Sequence, residues 1–471
     1  MTDLLPERGV YCNRTVNLRS IRAIGYDMDY TLVHYRTEGW ERAAFEQACV
    51  LLARRGWPVD GLAFDARSVI QGLAFDLELG NLVKATRFGY VIRAQHGTRL
   101  LPFEEQRVAY AGTFVDLAEE RWEFMNTLFS LSEASLFAQL VDLLDAGRVP
   151  GVTGYAELYR AVTDALDEAH AQGELKARIV ADPDAYVELD PEVPLTLLDQ
   201  RHAGKALLLI TNSEWAYTQA MMTYAFDRHL PGSMTWRDLF DMVIVGARKP
   251  SFFSHRQPAF AVVDPDRGLL APHRGPLVRG GMYLGADAMQ VEESLGLSGS
   301  EILYVGDHLF GDVHVTKAML RWRTGLVLRE LEAEIAALRA FRPTEERLRE
   351  LMTAKTVVDR RLASLRLSRL RLRDGYASTD EATEGLDDRI RTAIVEATAL
   401  DAEIAPLARA AGEVGNPTWG PLLRAGNDKS LFARQVERYA DLYTSRVANL
   451  LAETPFAYLR AARGSLPHDP L

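Results

Sequence analysis

The chain has 471 residues, too many for one ordinary hydrophobic core, so two or three domains are expected. Its 48% hydrophobic and 25% charged residues are those of a soluble globular protein. The formal net charge of −11 argues against a general nucleic-acid binder, though not against an anionic substrate in a locally basic pocket.

The two cysteines, Cys12 and Cys49, allow one bridge at most and belong to no spaced metal motif. The N-terminus has no charged-then-apolar signal pattern, and no apolar run approaches the roughly 20 residues that span a bilayer. A cytoplasmic protein with free thiols and no membrane partner is expected. In chain order, an apolar run from Ile21 to Tyr26 ends in Asp27-Met28-Asp29-Tyr30-Thr31. Such a run suits a strand buried on both faces of a parallel sheet, with the carboxylates just past its end, where open α/β sheets bind ligands. Two neighbouring carboxylates repel, so the place calls for a cation or a shared proton, and hard Mg²⁺ suits oxygen ligands.

Apolar positions at helical spacing follow over 39–56, stopped by Gly56 and Pro58. Residues 73–110 alternate short apolar runs with turns, with hairpin signals at Gly80-Asn81 and His96-Gly97. Residues 120–180 read as helices, with Leu136, Leu140, Leu143 and Leu144 on one face and Leu158, Val162 and Leu166 on another.

A second core strand, Ala206 to Ile210, ends in Thr211-Asn212-Ser213, whose small polar groups either serve an anion or cap the next helix. A third, Met242 to Val245, runs into Gly246-Ala247-Arg248-Lys249-Pro250, where the proline ends regular structure and lets Lys249 leave on the same edge. Residues 256–283 read as a loop or hairpin excursion. A fourth strand, Ile302 to Val305, leads to Gly306-Asp307-His308-Leu309-Phe310-Gly311-Asp312, again two carboxylates among glycines. His308 and His314 lack further spaced ligands and read as packing or supporting residues. A fifth strand is expected at Gly325–Leu328 after a short helix. Residues 343–372 form a basic helix, its arginines on a solvated, salt-bridged face. After Asp374-Gly375-Tyr376, a Ser378/Glu381 capping box opens a second helix with Leu386, Ile390, Ile394, Ala397, Leu400 and Ile404 on one stripe.

The order strand–Asp-x-Asp-x-Thr, strand–Thr-Asn, strand–Lys-Pro, strand–Gly-Asp-x₄-Asp resembles that of the haloacid dehalogenase-like phosphohydrolases. Within them the chain resembles the cytosolic purine 5′-nucleotidases. The likeness extends to Asn126-Thr127-Leu128-Phe129, Phe252-Phe253, Trp419-Gly420-Pro421-Leu422-Leu423-Arg424, Ser430-Leu431-Phe432-Ala433, Gln435 and Arg438-Tyr439-Ala440-Asp441-Leu442-Tyr443. The tail is specific because phosphatase chemistry does not require it.

The resemblance implies an α/β fold: a Rossmann-like parallel sheet core with a large α+β cap insertion and a helical C-terminal region. Core segments are expected at 1–40 and 200–330, the cap at 41–199, a helical hairpin at 331–415, and at 416–471 a segment packing on the core or in an oligomer interface. By resemblance Asp27 is the nucleophile and Asp29 the general acid/base. Mg²⁺ is held by Asp27, the backbone carbonyl of Asp29 and Asp307, with Asp312 close behind. Thr211, Asn212 and Lys249 hold the phosphate. Asp167, His170 and Lys176 contact the nucleotide and Phe129 packs on the base. Nucleoside 5′-monophosphate hydrolysis, 6-oxopurines favoured, is expected from a homo-oligomer, dimer or tetramer, with phosphotransfer to a nucleoside as an extension.

Thr163 stands where the purine-selective members carry an arginine, Ala171 replaces a tyrosine, Ser130 an amide, and Ala318 a lysine associated with effector binding. These departures bear on base selectivity and activation. The rival expectations are another small phosphate ester as substrate, or a catalytically idle nucleotide-binding scaffold.

Overall fold

Short apolar runs that end in polar turns become the strands of one sheet. The computed structural model describes residues 5–171, 173–376 and 385–462. Two units result, Met1–Glu332 with Leu422–Leu471, and Ala333–Pro421.

The first unit contains a ten-stranded sheet. Its spatial order is Val10–Cys12, Leu442–Thr444, Arg323–Val327, Ile302–Gly306, Ala23–Tyr26, Ala206–Ile210, Met242–Val245, Gly281–Gly285, Ala259–Asp264 and Leu269–His273. All strands from Leu442–Thr444 to Gly281–Gly285 are parallel; the outer strand on one side and the outer two on the other each pair antiparallel with their inner neighbour. The central strand Ala23–Tyr26 is buried throughout, which its unbroken apolar run dictates. Its neighbours come from later, separate parts of the chain, so the strand order reverses there and opens a crevice at the carboxyl ends. Tyr26 lies level with Leu209 and Val305, and Ile210 with Ile244. Asp27, Thr211, Gly246 and Asp307 therefore leave the sheet along one edge.

A core of Ala23, Leu208, Ile210, Ile244, Phe252, Phe253, Tyr283, Ile302, Tyr304 and Trp322 packs beneath that edge. The segment 256–283 reads in the sequence as a loop or hairpin excursion. It forms the hairpin Ala259–Asp264/Leu269–His273 and then enters Gly281–Gly285, a member of the parallel array. Glycines at both ends of Gly281–Gly285 shorten its apolar signal to three residues.

Between the core strands, His34–Tyr35 pairs with Val187–Glu188 where the chain leaves and returns. The intervening residues form a five-stranded antiparallel sheet, in the order Arg99–Leu100, Val91–His96, Asn81–Ala85, Ala74–Asp76, Trp122–Phe124. The helices Thr37–Arg54, Ser130–Asp145, Tyr155–Ala171 and Glu174–Ala181 accompany it. Trp122–Phe124 corrects the expectation that 120–180 is wholly helical: Trp122 and Phe124 are buried and Glu123 between them is exposed, the alternation of a half-buried strand.

Phe432 is fully buried against Phe124, ring centroids 6.2 Å apart, and Thr86 bridges Ser430. A Cβ on Gly72 would come within 2.6 Å of Phe432, so glycine is required for that approach. With Leu442–Thr444 in the main sheet, the 422–462 segment is part of this unit's architecture.

The second unit is built on Leu331–Asp374 and Leu386–Ala411 around Leu362, Leu365, Leu386, Ile390 and Ala393. Arg369 pairs with Asp387, Arg361 with Glu396, Lys355 with Asp401 and Arg347 with Glu403. One number falls as the other rises, so the helices run antiparallel and the basic face is salt-bridged. Ile394 is 39% exposed and does not belong to the buried stripe. Leu386, Ile390, Ala393, Ala397 and Ile404 form it, on the alternating three- and four-residue steps of a heptad. The expected Ser378/Glu381 capping box lies outside the described residues.

Candidate active site

Four strand ends and one cap turn converge on a cavity of about 620 Å³. At its floor Asp27 is held at both oxygens. Oδ1 accepts the Met28 N–H at 2.7 Å, and Oδ2 lies 2.8 Å from Lys249 Nζ. The same ammonium is 2.8 Å from Asp312 Oδ1 and donates to the Tyr304 hydroxyl at 3.1 Å. Burial pulls the Lys249 pKa down, but Asp27 and Asp312 outweigh it and leave the group above its ordinary value, hence charged. Burial pushes Asp27 up to about 7, against the pull of Lys249 and with the repulsion of Asp312 and Asp29. Asp307 is also raised, by burial and then by Asp312 and Asp27.

Space for this packing is made by glycine. A Cβ on Gly25 would meet the Tyr304 ring at 2.8 Å, and one on Gly306 would meet Asp312 Oδ2 at 2.4 Å. Tyr30 and Arg248, each next to a reactive group, hold positive φ of 52° and 58°, the backbone strain that clusters at functional turns.

Asp29 points elsewhere. Its Oδ1 accepts the Tyr35 hydroxyl at 2.6 Å and its Oδ2 the Ser213 hydroxyl at 2.7 Å. Its carboxylate is therefore separate from the one cluster, among the described residues, able to chelate a cation: ligand oxygens of Asp27, Asp307 and Asp312, all within 4.8 Å of one another. Buried, mutually repelling carboxylates with hard oxygen donors fit a divalent ion.

Thr211 and Asn212 line the same floor. The Asn212 amide accepts the Lys249 N–H at 2.6 Å and donates to the Lys249 carbonyl at 3.2 Å, clamping one strand end to the next. Neither residue caps the following helix; Glu214 occupies that position.

The cap supplies the roof. Thr127 Oγ1 donates to Asp307 Oδ2 at 3.0 Å, and the Asn126 carbonyl accepts the Leu309 N–H. Phe129 packs edge-on to Tyr30 at 4.8 Å and to Trp40 at 5.7 Å. His170 stacks on Trp40 at 6.4 Å. Burial, then the Lys176 charge, push the His170 pKa down to about 4, so the ring is neutral near pH 7. Lys176 bonds Glu214 at 2.6 Å. Asp167 also lines the cavity, its pKa raised by burial and by Asp164.

All eleven residues singled out in the sequence thus border one cavity. His308 supports rather than ligates: its Nδ1 accepts the Gly311 N–H at 2.7 Å. Of the departures, Ser130 and Thr163 line the cavity, and the side chain of Ala171 lies outside the described residues. Sequence reasoning missed Tyr35, Tyr304, the Thr127 and Ser213 hydroxyls, and Glu133. Only Ser213 and Thr127 carried a signal, as members of quoted motifs.

A carboxylate pair on a parallel strand end, a lysine beside it and a chelating acidic loop define a hydrolase of the phosphatase kind. The sequence comparisons narrow the class. The family model described as 5′ nucleotidase family matches residues 10–471, and the chain belongs to that family; as an enzyme it is a 5′-nucleotidase hydrolase. It is similar to the human 5′-nucleotidase domain-containing protein 2, 28% identical over 476 residues covering 96% of this chain and 84% of that one. A 5′-nucleotidase domain-containing protein of Dictyostelium discoideum is 26% identical over 479 residues, covering 99% and 75%. Among solved structures, an archaeal β-phosphoglucomutase from Pyrococcus aligns with a TM-score of 0.32 at 12% identity, over 65% of this chain and 86% of that one, too slight a likeness to build on.

Proposed function

We propose that the protein hydrolyses nucleoside 5′-monophosphates, 6-oxopurines ahead of adenine, through an aspartyl-phosphate on Asp27 and with Mg²⁺. The observation that carries the reading is the double fixation of Asp27, by the Met28 N–H and the Lys249 ammonium, beside a separately held Asp29.

In this reading Asp27 Oδ attacks phosphorus and the bond from phosphorus to the 5′ oxygen breaks. Asp29 gives its proton to that leaving oxygen, then takes one from the water that cleaves the acyl phosphate and frees inorganic phosphate. Lys249 and the Thr211/Asn212 turn hold the phosphoryl oxygens in line. Asp27, Asp307, Asp312 and the Asp29 carbonyl would hold Mg²⁺, which when bound offsets charge on the transferring group. A nucleoside hydroxyl in place of water would make the same intermediate a phosphotransfer donor.

Residues 1–40 and 200–330 serve as the core and 41–199 as the cap. Phe129 stacks on the base, Asp167 accepts the N1–H that hypoxanthine and guanine carry and adenine lacks, and His170 and Lys176 complete that wall. Cytoplasmic residence and a homo-oligomeric dimer or tetramer belong to the same proposal. For the former, support comes from the free thiols of Cys12 and Cys49 and from the lack, among the described residues, of a helix long and apolar enough to cross a membrane.

Phosphate release from IMP, GMP, AMP, CMP and UMP, with and without Mg²⁺, tests the reading. IMP and GMP should lead in kcat/KM and activity should vanish with chelator; AMP or a pyrimidine in the lead would remove the base assignment and leave the phosphate chemistry.

A further inference from the structure

The helix Tyr155–Ala171 turns Tyr159, Thr163, Leu166, Asp167 and His170 toward the cavity, the spacing of one helical face. Glu133 faces them from Ser130–Asp145. Its Oε1 accepts the Thr163 hydroxyl at 2.7 Å, and the Tyr159 hydroxyl is a second hydrogen-bond donor to the carboxylate, which keeps lone pairs free toward the cavity. Burial pushes its pKa up to about 7, the Thr163 and Tyr159 hydroxyls pulling it down and its charged neighbours Asp167 and Glu123 adding to the rise.

No cation compensates this wall among the described residues. The two lysines that line the cavity are committed elsewhere, Lys249 to Asp27 and Asp312 and Lys176 to Glu214. Nor is it a metal site, because the only chelating group of three found among the described residues is Asp27, Asp307 and Asp312. The His170 ring, set between Trp40 and Phe129, has ring contacts there but no hydrogen-bond partner among the described residues. Flat aromatic faces beside an unbonded ring and carboxylates that can still accept describe a place for a planar ligand with N–H donors on its edge.

We propose that Glu133 is a specificity-determining residue that accepts an exocyclic amino group, so that the cavity takes a 2-amino-6-oxopurine nucleotide ahead of the 6-oxopurine without that group. This deepens, and rests on, the nucleotide reading of the site. Hypoxanthine presents one edge donor, N1–H, to Asp167. Guanine presents the same N1–H and an adjacent amino group, which gives Glu133 a partner as well. Adenine and cytosine carry an amino group but an unprotonated ring nitrogen beside it, which would face the Asp167 carboxylate acceptor to acceptor. An amino donor also favours the ionised form of Glu133, so ligand and wall satisfy each other.

The test is kcat/KM for GMP and IMP on wild type and Glu133→Gln, with p-nitrophenyl phosphate as a base-free ester on wild type. A hydrogen bond to a charged acceptor predicts GMP ahead of IMP by about tenfold or more. In the isosteric Glu133→Gln the ratio should fall at least about fivefold, chiefly through the KM for GMP. IMP equal to or better than GMP on wild type overturns the proposal without any variant, and so does an unchanged ratio in a folded Glu133→Gln. Hydrolysis of p-nitrophenyl phosphate but of no nucleotide overturns it together with the nucleotide reading, and is a different result from a reversed GMP/IMP order.

Discussion

At the phosphate end of the cavity, Lys249, Asp27, Asp29, Asp307 and Asn212 each have named partners between 2.6 and 3.2 Å, and those partners come from other strand ends, from the short strand His34–Tyr35 or from the cap turn. At the cap end, three carboxylates, Glu123, Glu133 and Asp167, share a wall with a histidine that has no hydrogen bond among the described residues, and the restraints are ring contacts and the Thr163 and Tyr159 hydroxyls. The first arrangement is preorganised: its dipoles and charges are in position before any ligand arrives, and phosphoryl transfer needs that more than covalent help. The second leaves polar groups to be completed by a ligand, which is how a site discriminates between partners.

Breaking the phosphate end should have the largest effects. Asp27→Asn removes the attacking oxygen and should reduce turnover below about 10⁻⁴ of wild type, as loss of a nucleophile does elsewhere. The fold should survive, because Lys249 keeps Asp312 and the amide oxygen can still accept the Met28 N–H. Circular dichroism and single-turnover phosphate release together check this; a folded variant within about tenfold of wild type would remove Asp27 from the role. Asp29→Asn should cost about 10²–10⁴ in kcat, the range of a positioned acid/base, and should trap phosphate on the protein if water activation slows more than attack. Acid-quenched radiolabel from a nucleotide substrate reads that directly, and unaltered kcat would exclude the role.

A smaller effect sharpens the boundary between the two ends. Thr127 belongs to the cap yet donates to Asp307. Thr127→Val keeps the shape and removes the donor, so Mg²⁺ affinity measured by calorimetry should weaken about 10–100-fold, as loss of an outer hydrogen bond to a metal ligand usually does. Unchanged affinity would mean that the cap does not tune the acidic cluster.

The same contrast explains what was legible in the sequence. Strand ends announce themselves, because an apolar run stopping at a polar residue fixes both the strand and the side that residue faces. Asp27, Thr211, Lys249 and Asp307 were readable for that reason. Tyr304 was not, since it is one apolar-run residue among four and its role depends on Gly25 making room for its ring. Tyr35 sits in a two-residue strand paired with Val187–Glu188, far along the chain, so no local pattern marks it. Glu133 reads as an ordinary helix-surface glutamate until Tyr155–Ala171 is placed opposite. The strand Gly281–Gly285 was lost to its flanking glycines. Ile394 was misplaced by one helical step because Ala393, the residue that is buried, looked too small to mark a stripe.

The helical hairpin gives the smallest expected effect and the limit of the comparison. Its arginines and Lys355 face Asp387, Glu396, Asp401 and Glu403 across a solvated surface, and ion pairs of that exposure contribute little. Arg369 pairs with Asp387 at 3.3 Å, and Arg366 is exposed on the same helix; neither belongs to the phosphate-site motifs. Replacing Arg366 and Arg369 together by Ala should therefore leave kcat and KM within about twofold, with at most a small fall in thermal midpoint. Salt should mimic the change in stability, because exposed pairs are screened at physiological ionic strength. If kcat fell more than about tenfold in a folded double variant, the hairpin would have to act on the catalytic unit, and the assignment of all the chemistry to the strand ends and the cap would be wrong.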